Sequence, residues 1–244
     1  MLVVMLDCKL NKVRHGSIFI YQSNYIKQVV QRFNLKDASS LTIPADPHVS
    51  LQAVQNDIIA NAIVPYREAV GSLMYIAIVS RPDIMFAVDL VSRYMKKHCT
   101  PHWNAVKRII RYLKGSSDFG ILYKSGDNIQ PLLIGYSDAD FANDVDTRRS
   151  ASGYTFKMQG GAVTWYTQRQ PCVCLSTTEA EYVALSHCAK EVSWLQNLLS
   201  DINDYVVKPT PICVDNQSAI RLVNNPVYHK RTKHIDSKRK IEGR

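Results

Sequence analysis

The sequence predicts a mixed α/β domain built on one principal sheet, preceded by a mainly helical region. Three observations predict it. Short β-branched and aromatic runs follow one another between about 119 and 167. A long amphipathic stretch, a strand-like run and a short helical stretch then alternate toward the carboxyl end. Residues 65 to 114 instead carry three successive patterns of helical period.

Taken in order, Ser17 to Tyr21 alternates as a short strand. Ser23 then caps a helix in which Ile26, Val29, Val30 and Phe33 recur at helical spacing. From Lys36 to Val64 the period dissolves around Pro44 and Pro47, so this stretch is expected to be an extended connector that wraps rather than packs. Helices are expected over 65–80, 83–97 and 101–114. The last has Thr100 as its cap, Pro101 at the first helical position and Gly115 just beyond the end. Runs at 119–124, 131–137, 153–158 and 162–167 are expected to form an antiparallel meander. A helix over 176–199, a strand over 211–214 and a helix over 217–223 follow. The expected division is 1–64, 65–125 and 126–244.

Composition narrows the class. At 244 residues with 46% apolar and 21% charged side chains, the chain can bury a real core, which excludes collagenous and low-complexity proteins. The apolar run from Ala69 to Ser80 is broken by Gly71 and Ser72 and ends at Arg81, too short to span a membrane, so no membrane partner is expected. Met1 to Asp7 lacks a basic start and a cleavage site, and the six scattered cysteines form no disulfide framework. An intracellular, reducing location is therefore expected. Cys172 and Cys174 are read as packing residues on a strand rather than zinc ligands, and His229 and His234 lack the companions a zinc site needs.

Charge is unevenly placed. Residues 1–129 hold 16 Lys and Arg against 9 Asp and Glu, and residues 130–244 hold 14 against 12. The first part carries most of the attraction for a polyanion, and the second is nearly neutral yet rich in carboxylates. On the helix over 101–114, Lys107, Arg111 and Lys114 form a stripe that fits either a phosphate backbone or a solvated face. Lys230, Arg231 and Lys233 belong to a basic end that fits phosphate contact, nuclear import or a frayed terminus.

Three acidic positions fall at the ends of regular elements. The strand through Leu132 to Tyr136 runs into Asp138 and Asp140, which share one strand face, so either one is a candidate for the inward position. In the long helix, Glu181 heads the apolar stripe Ala184, Cys188, Val192, Leu195 and Leu199, while Glu179 lies about 200° away round the axis. A carboxylate on an apolar face needs a partner. Asp215 follows the apolar run Ile212 to Val214 and precedes a helix that it or Asn216 could cap. Singly, each position has a structural explanation. Together, Asp138, Glu181 and Asp215 make the oxygen-rich set that hard divalent cations such as Mg²⁺ prefer.

Five stretches then match in order: Gly135-Tyr136-Ser137-Asp138-Ala139-Asp140-Phe141-Ala142, Arg148-Arg149-Ser150-Ala151-Ser152-Gly153-Tyr154, Ser176-Thr177-Thr178-Glu179-Ala180-Glu181-Tyr182, Asp215-Asn216-Gln217 and Lys233-His234-Ile235-Asp236. They resemble the ribonuclease H region of copia-type LTR retrotransposon Pol polyproteins. Tyr66 to Tyr75 and Arg81 to Ile84 resemble the stretch that joins the reverse transcriptase to that region, and residues 1–64 are similar to the polymerase tail.

The resemblance implies a ribonuclease H-like mixed sheet with flanking helices, preceded by a helical remnant of the polymerase thumb and connection. It implies Asp138, Glu181 and Asp215 as catalytic, metal-binding residues holding two Mg²⁺ (or Mn²⁺) ions over the RNA strand of an RNA·DNA hybrid. The implied partners are that hybrid and the rest of a Pol polyprotein. The implied setting is a cytoplasmic virus-like particle or the nucleus. Two departures qualify this. The polymerase Tyr-x-Asp-Asp motif does not occur, so DNA synthesis is not expected. The family's fourth carboxylate lies beyond the Lys233–Asp236 motif and has no counterpart before Arg244, so weakened or absent cleavage is expected, and the alternative is a non-catalytic nucleic-acid binder.

Overall fold

The computed structural model describes residues 8–12, 16–53, 64–126, 132–203 and 209–224, in two units, Met1–Asp127 and Asn128–Arg244. In the first unit, β1 (Lys9–Lys12), β2 (Ile18–Tyr21) and β3 (Gly120–Tyr123) form an antiparallel sheet in that order. The run at 119–124, expected to open the meander of the second region, is instead the partner of β2, with Gly120 opposite Tyr21. A Cβ on Gly120 would lie 2.2 Å from the Ile20 carbonyl oxygen, so this close approach admits only glycine. Four alternating residues specify a strand but not its partner, which here lies some hundred residues away.

The helices of this unit are α1 (Ser23–Arg32), α2 (Tyr66–Val79), α3 (Met85–Ser92) and α4 (Thr100–Gly115). Ile26, Val29 and Val30 of α1 share one core with Leu73 and Ile76 of α2, Val88 and Val91 of α3, and Ile109 and Leu113 of α4. Residues on either side of position 64 thus bury their apolar faces together. The connector holds no helix or strand over 36–53, yet Ala45 and Leu51 rest on that core, and the Tyr94 hydroxyl donates to the Leu51 carbonyl at 2.8 Å.

Two helix boundaries differ from expectation. The cap of α4 is Cys99, one residue before Thr100: its backbone N–H donates to His102 Nδ1 at 3.0 Å, and its side chain accepts from the helix backbone. The helix expected over 83–97 is a 3₁₀ turn, Pro82–Ile84, followed by the short α3. Arg81 explains the turn. It is 1% exposed and donates through Nε and Nη2 to both carboxylate oxygens of Asp83, at 2.9 and 2.7 Å. It also donates to the carbonyl and hydroxyl of Ser116, each at 2.7 Å, with its guanidinium over the rings of Tyr112 and Phe119. Burial works to raise the Asp83 carboxyl, but the hydrogen bonds and charge of Arg81, with the Tyr112 hydroxyl, hold it below the usual carboxylate range.

The second unit is built on a four-stranded sheet in the order β6-β5-β4-β7. Strands β4 (Leu133–Asp140), β5 (Ala151–Met158) and β6 (Gly161–Arg169) pair antiparallel, while β7 (Ile212–Cys213) lies parallel to β4. The sheet is therefore mixed, as expected. The long helix α5 (Thr177–Asn203) packs its stripe against β4 and β5, where Leu133, Phe156, Cys188 and Leu195 form the core. Gly135 lets the Phe156 ring sit where a Cβ would stand, 2.6 Å from Cε1. The last element is α6 (Gln217–Asn224), which packs along α5. No described helix is long and apolar enough to cross a membrane.

Replacing Arg81 by Ala is expected to destabilise the first unit by roughly 3 kcal/mol, because Asp83 and Ser116 lose their partners and two rings lose their cover. Urea denaturation reads this. Because the Asp83 carboxyl is held low, the Arg81–Asp83 contribution is present above the ordinary Asp value and lost as pH falls below about 4.

Candidate metal centre

Three elements bring the acidic side chains together. On β4, alternation puts Leu133, Gly135 and Ser137 on the buried side and Tyr136, Asp138 and Asp140 on the other. Strand β7 pairs Gly135 with Ile212 and Tyr136 with Cys213 in parallel. Asp138 and Asp215 each lie two residues past the end of that pairing, so the register sets them side by side. Glu181 comes from the first turns of α5. That helix is anchored by Ser176, whose Oγ accepts from the Glu179 N–H at 3.1 Å, while Glu179 reaches back to the Leu175 N–H at 2.7 Å. With Ala184, Cys188 and Leu195 buried, the helix rotation is fixed and Glu181 must face the sheet.

The result is one cluster: ligand oxygens of Asp138, Glu181 and Asp215 all lie within 4.8 Å of one another. Glu181 is buried while the two aspartates are exposed. Its Oε1 accepts from the Ala139 N–H at 3.2 Å, and its Oε2 is buried without a hydrogen-bond partner. Burial first, then the Asp138 charge, push the Glu181 carboxyl up to about 7 against the pull of the Ala139 N–H, and Asp215 adds to the push. A buried carboxylate oxygen aimed at two others, with no donor of its own, suits a hard divalent cation. The donor set fits Mg²⁺ or Mn²⁺.

The neighbouring acids have other work. Asp140, the other candidate for the inward place, accepts from Asn143 Nδ2 at 2.6 Å, and Glu179 caps α5. Asn216, not Asp215, caps α6, its side-chain oxygen accepting from the Ala219 N–H at 3.0 Å. Cys172 and Cys174 are buried, as packing residues should be, but in a loop rather than on a strand, and Cys174 Sγ donates to Gln170 Oε1.

The basic stripe on α4 is mostly engaged within the protein. Arg111 donates to the carbonyl and hydroxyl of Ser39 at 2.7 and 2.6 Å, and Lys114 donates to the carbonyls of Lys36 and Ala38. These two side chains hold the connector against the helix, which corrects their reading as free phosphate contacts; Lys107, on the same stripe, takes no part in that bonding. The spacing that suggested a stripe carried no sign of the loop that would meet it. Lys230, Arg231 and Lys233, with His229 and His234, lie outside the described residues. Sequence reasoning missed Asp144, a buried carboxylate in the loop after β4. Its signal was the Asp-x-x-Thr spacing to Thr147, which favours a side-chain-closed turn.

Fold and cluster together define an α/β unit whose mixed sheet carries a cluster of three carboxylates. No protein-family model matches the chain, and no solved structure does. Among curated proteins, the retrovirus-related Pol polyprotein from transposon TNT 1-94 of Nicotiana tabacum is 42% identical over 224 residues, 90% of this chain and 17% of that one. The Pol polyprotein from transposon RE2 of Arabidopsis thaliana is 35% identical over 218 residues, 89% of this chain and 15% of that one. Secreted RxLR effector protein 161 of Plasmopara viticola is 46% identical over 132 residues, 54% of this chain and 92% of that one. The chain belongs to the Pol polyproteins of copia-type retrotransposons, and spans about a sixth of the length of the Pol relatives it matches.

The raised Glu181 makes a stability prediction for the metal-free protein. Between the ordinary Glu value of 4.5 and about 7 the folded chain holds a proton that the unfolded chain has released. Stability is therefore full below the lower value and falls as pH rises through the higher one, by on the order of 2 kcal/mol. In a chelator, the urea midpoint of the wild type is expected to drop across that window and that of Asp138→Asn to drop less. Equal pH dependence of the two would contradict the coupling.

Proposed function

We propose that this chain is the ribonuclease H region of a retrotransposon Pol polyprotein and hydrolyses the RNA strand of an RNA·DNA hybrid. The observation that carries the proposal is the meeting of Asp138, Glu181 and Asp215 from three separate elements, with Glu181 Oε2 left unpartnered. Five motifs in order and the Pol relatives support it. The mixed sheet with α5 laid across it supports a ribonuclease H-like fold.

Bound Mg²⁺ or Mn²⁺ supplies an activated water and charge neutralisation at the departing oxygen. The protein's part is to hold the oxygens in place. The Ala139 N–H fixes one oxygen of Glu181 and leaves the other for the cation. Asp138 and Asp215, both exposed, offer theirs to a site that a large substrate can reach. Selectivity for the hybrid rests on groove shape and 2′-hydroxyls, so no base preference is expected.

Two measurements test the proposal. Titration calorimetry is expected to show Mg²⁺ binding that Asp138→Asn and Glu181→Gln each abolish. In Mg²⁺, the wild type is expected to cleave the RNA strand of a hybrid and leave a 5′ phosphate, with either variant slower by about a hundred-fold or more. Cleavage that survives both substitutions would refute this assignment of the site. Hybrid binding without turnover in the wild type would refute the nuclease reading and leave a non-catalytic binder.

A further inference from the structure

We propose that the loop between β4 and β5, residues 141–150, is a preformed clamp for the sugar–phosphate backbone, in which Arg148 and Arg149 contact phosphates and Asp144 positions them. The identity of the ligand as an RNA·DNA hybrid rests on the nuclease reading above.

The loop is locked at its centre and both ends. Asp144 is 4% exposed. Its Oδ1 accepts from the Thr147 N–H and hydroxyl, each at 2.8 Å, and its Oδ2 accepts from Arg169 Nη1 at 2.7 Å. Its backbone accepts from the Arg148 N–H at 2.7 Å and donates to the Arg149 carbonyl at 3.0 Å. Ser150 Oγ accepts from the Ala142 N–H, and Asp140 from Asn143. Within this frame Ala142 and Arg148 are held at φ 52° and 56°, a left-handed conformation that side chains other than glycine adopt at a cost. Such order is unusual for a surface turn that only joins two strands.

The locked loop carries Arg148 and Arg149 at the end of the sheet where Asp138 lies. Ala151, next after the loop, pairs with Asp140, and Gly153 pairs with Asp138, so the loop leaves the sheet just past the site. Arg148 is exposed and Arg149 half-buried, and neither guanidinium has a hydrogen bond or ion pair with a described residue. By contrast Arg32, Arg81, Arg93, Arg108, Arg111 and Arg169 are each engaged. A polyanion approaching three carboxylates needs fixed positive charge close by, and the planar fork of Arg matches a phosphate. Holding the loop in advance removes the ordering penalty from binding.

The test is hybrid binding without turnover, by fluorescence anisotropy of a short labelled RNA·DNA hybrid in Ca²⁺, between about 50 and 200 mM salt. Arg148→Gly and Arg149→Ala are each expected to weaken binding several-fold and to reduce the slope of log affinity against log salt by about 0.9 for each phosphate no longer neutralised. Because glycine accepts the left-handed conformation, Arg148→Gly is expected to leave the melting temperature unchanged or higher while affinity falls. Asp144→Asn removes a negative charge, so simple attraction of a polyanion would make it bind tighter; a positioning role makes it bind more weakly. Unchanged salt slopes in both Arg variants would overturn the clamp, and tighter binding by Asp144→Asn would overturn its positioning by Asp144. Hydrolysis in Mg²⁺ is scored separately, so a wild type that binds with these slopes but does not cleave would sink the nuclease reading and leave the clamp standing.

Discussion

One carboxylate held away from water against two others is the constraint on which the second unit turns. Left to itself, an ionised Glu181 beside Asp138 and Asp215 is repelled, and burial deprives it of the solvent that would screen the repulsion. Every feature around it works against its escape. The Ala139 N–H holds one oxygen, and the Ser176–Glu179 cap fixes where α5 begins. The buried stripe through Ala184, Cys188 and Leu195 fixes the helix rotation, and the parallel pairing of β7 with β4 brings Asp215 level with Asp138. Loosening any of these would let the carboxylates separate.

The first unit handles buried charge in the opposite way. Arg81 is as deeply buried as any side chain in the core, yet it has two carboxylate oxygens, a carbonyl, a hydroxyl and two ring faces for company. That arrangement is self-sufficient and serves the fold, tying the turn after α2 to the end of α4. An unmatched Glu181 serves the fold badly. Sites that bind something keep such local conflicts, since the ligand, not the protein, resolves them.

Most of the site was legible in the sequence because its determinants are local. Helical period alone put Glu181 on the buried face, and the fold agrees; it put Glu179 off that face, yet Glu179 is buried too, because its side chain turns back to the Leu175 N–H at the helix end. Strand alternation narrowed the first acid to Asp138 or Asp140 and could go no further, because what separates them is the neighbour each one meets. The misplaced elements share a different cause. The partner of the run at 119–124 lies across the length of the first unit, and the groups that occupy Arg111 and Lys114 sit on a connector without period. The Cys99 cap was missed because a thiol is not among the usual capping side chains.

Family resemblance arrives as strings of letters, and the structure divides each string by physical task. In Gly135 to Ala142, Gly135 makes room for Phe156, Asp138 joins the cluster, Ala139 lends its N–H to Glu181, and Asp140 accepts from Asn143. In Ser176 to Tyr182, Ser176 and Glu179 close the helix end and Glu181 enters the site. Two carboxylates of one motif thus differ in kind. Glu179 serves as a hydrogen-bond acceptor, a task glutamine can share, whereas the role proposed for Glu181 calls for an anion, which glutamine cannot supply. Matching letters therefore mark where chemistry can occur, and only the contacts of each side chain say which letter performs it.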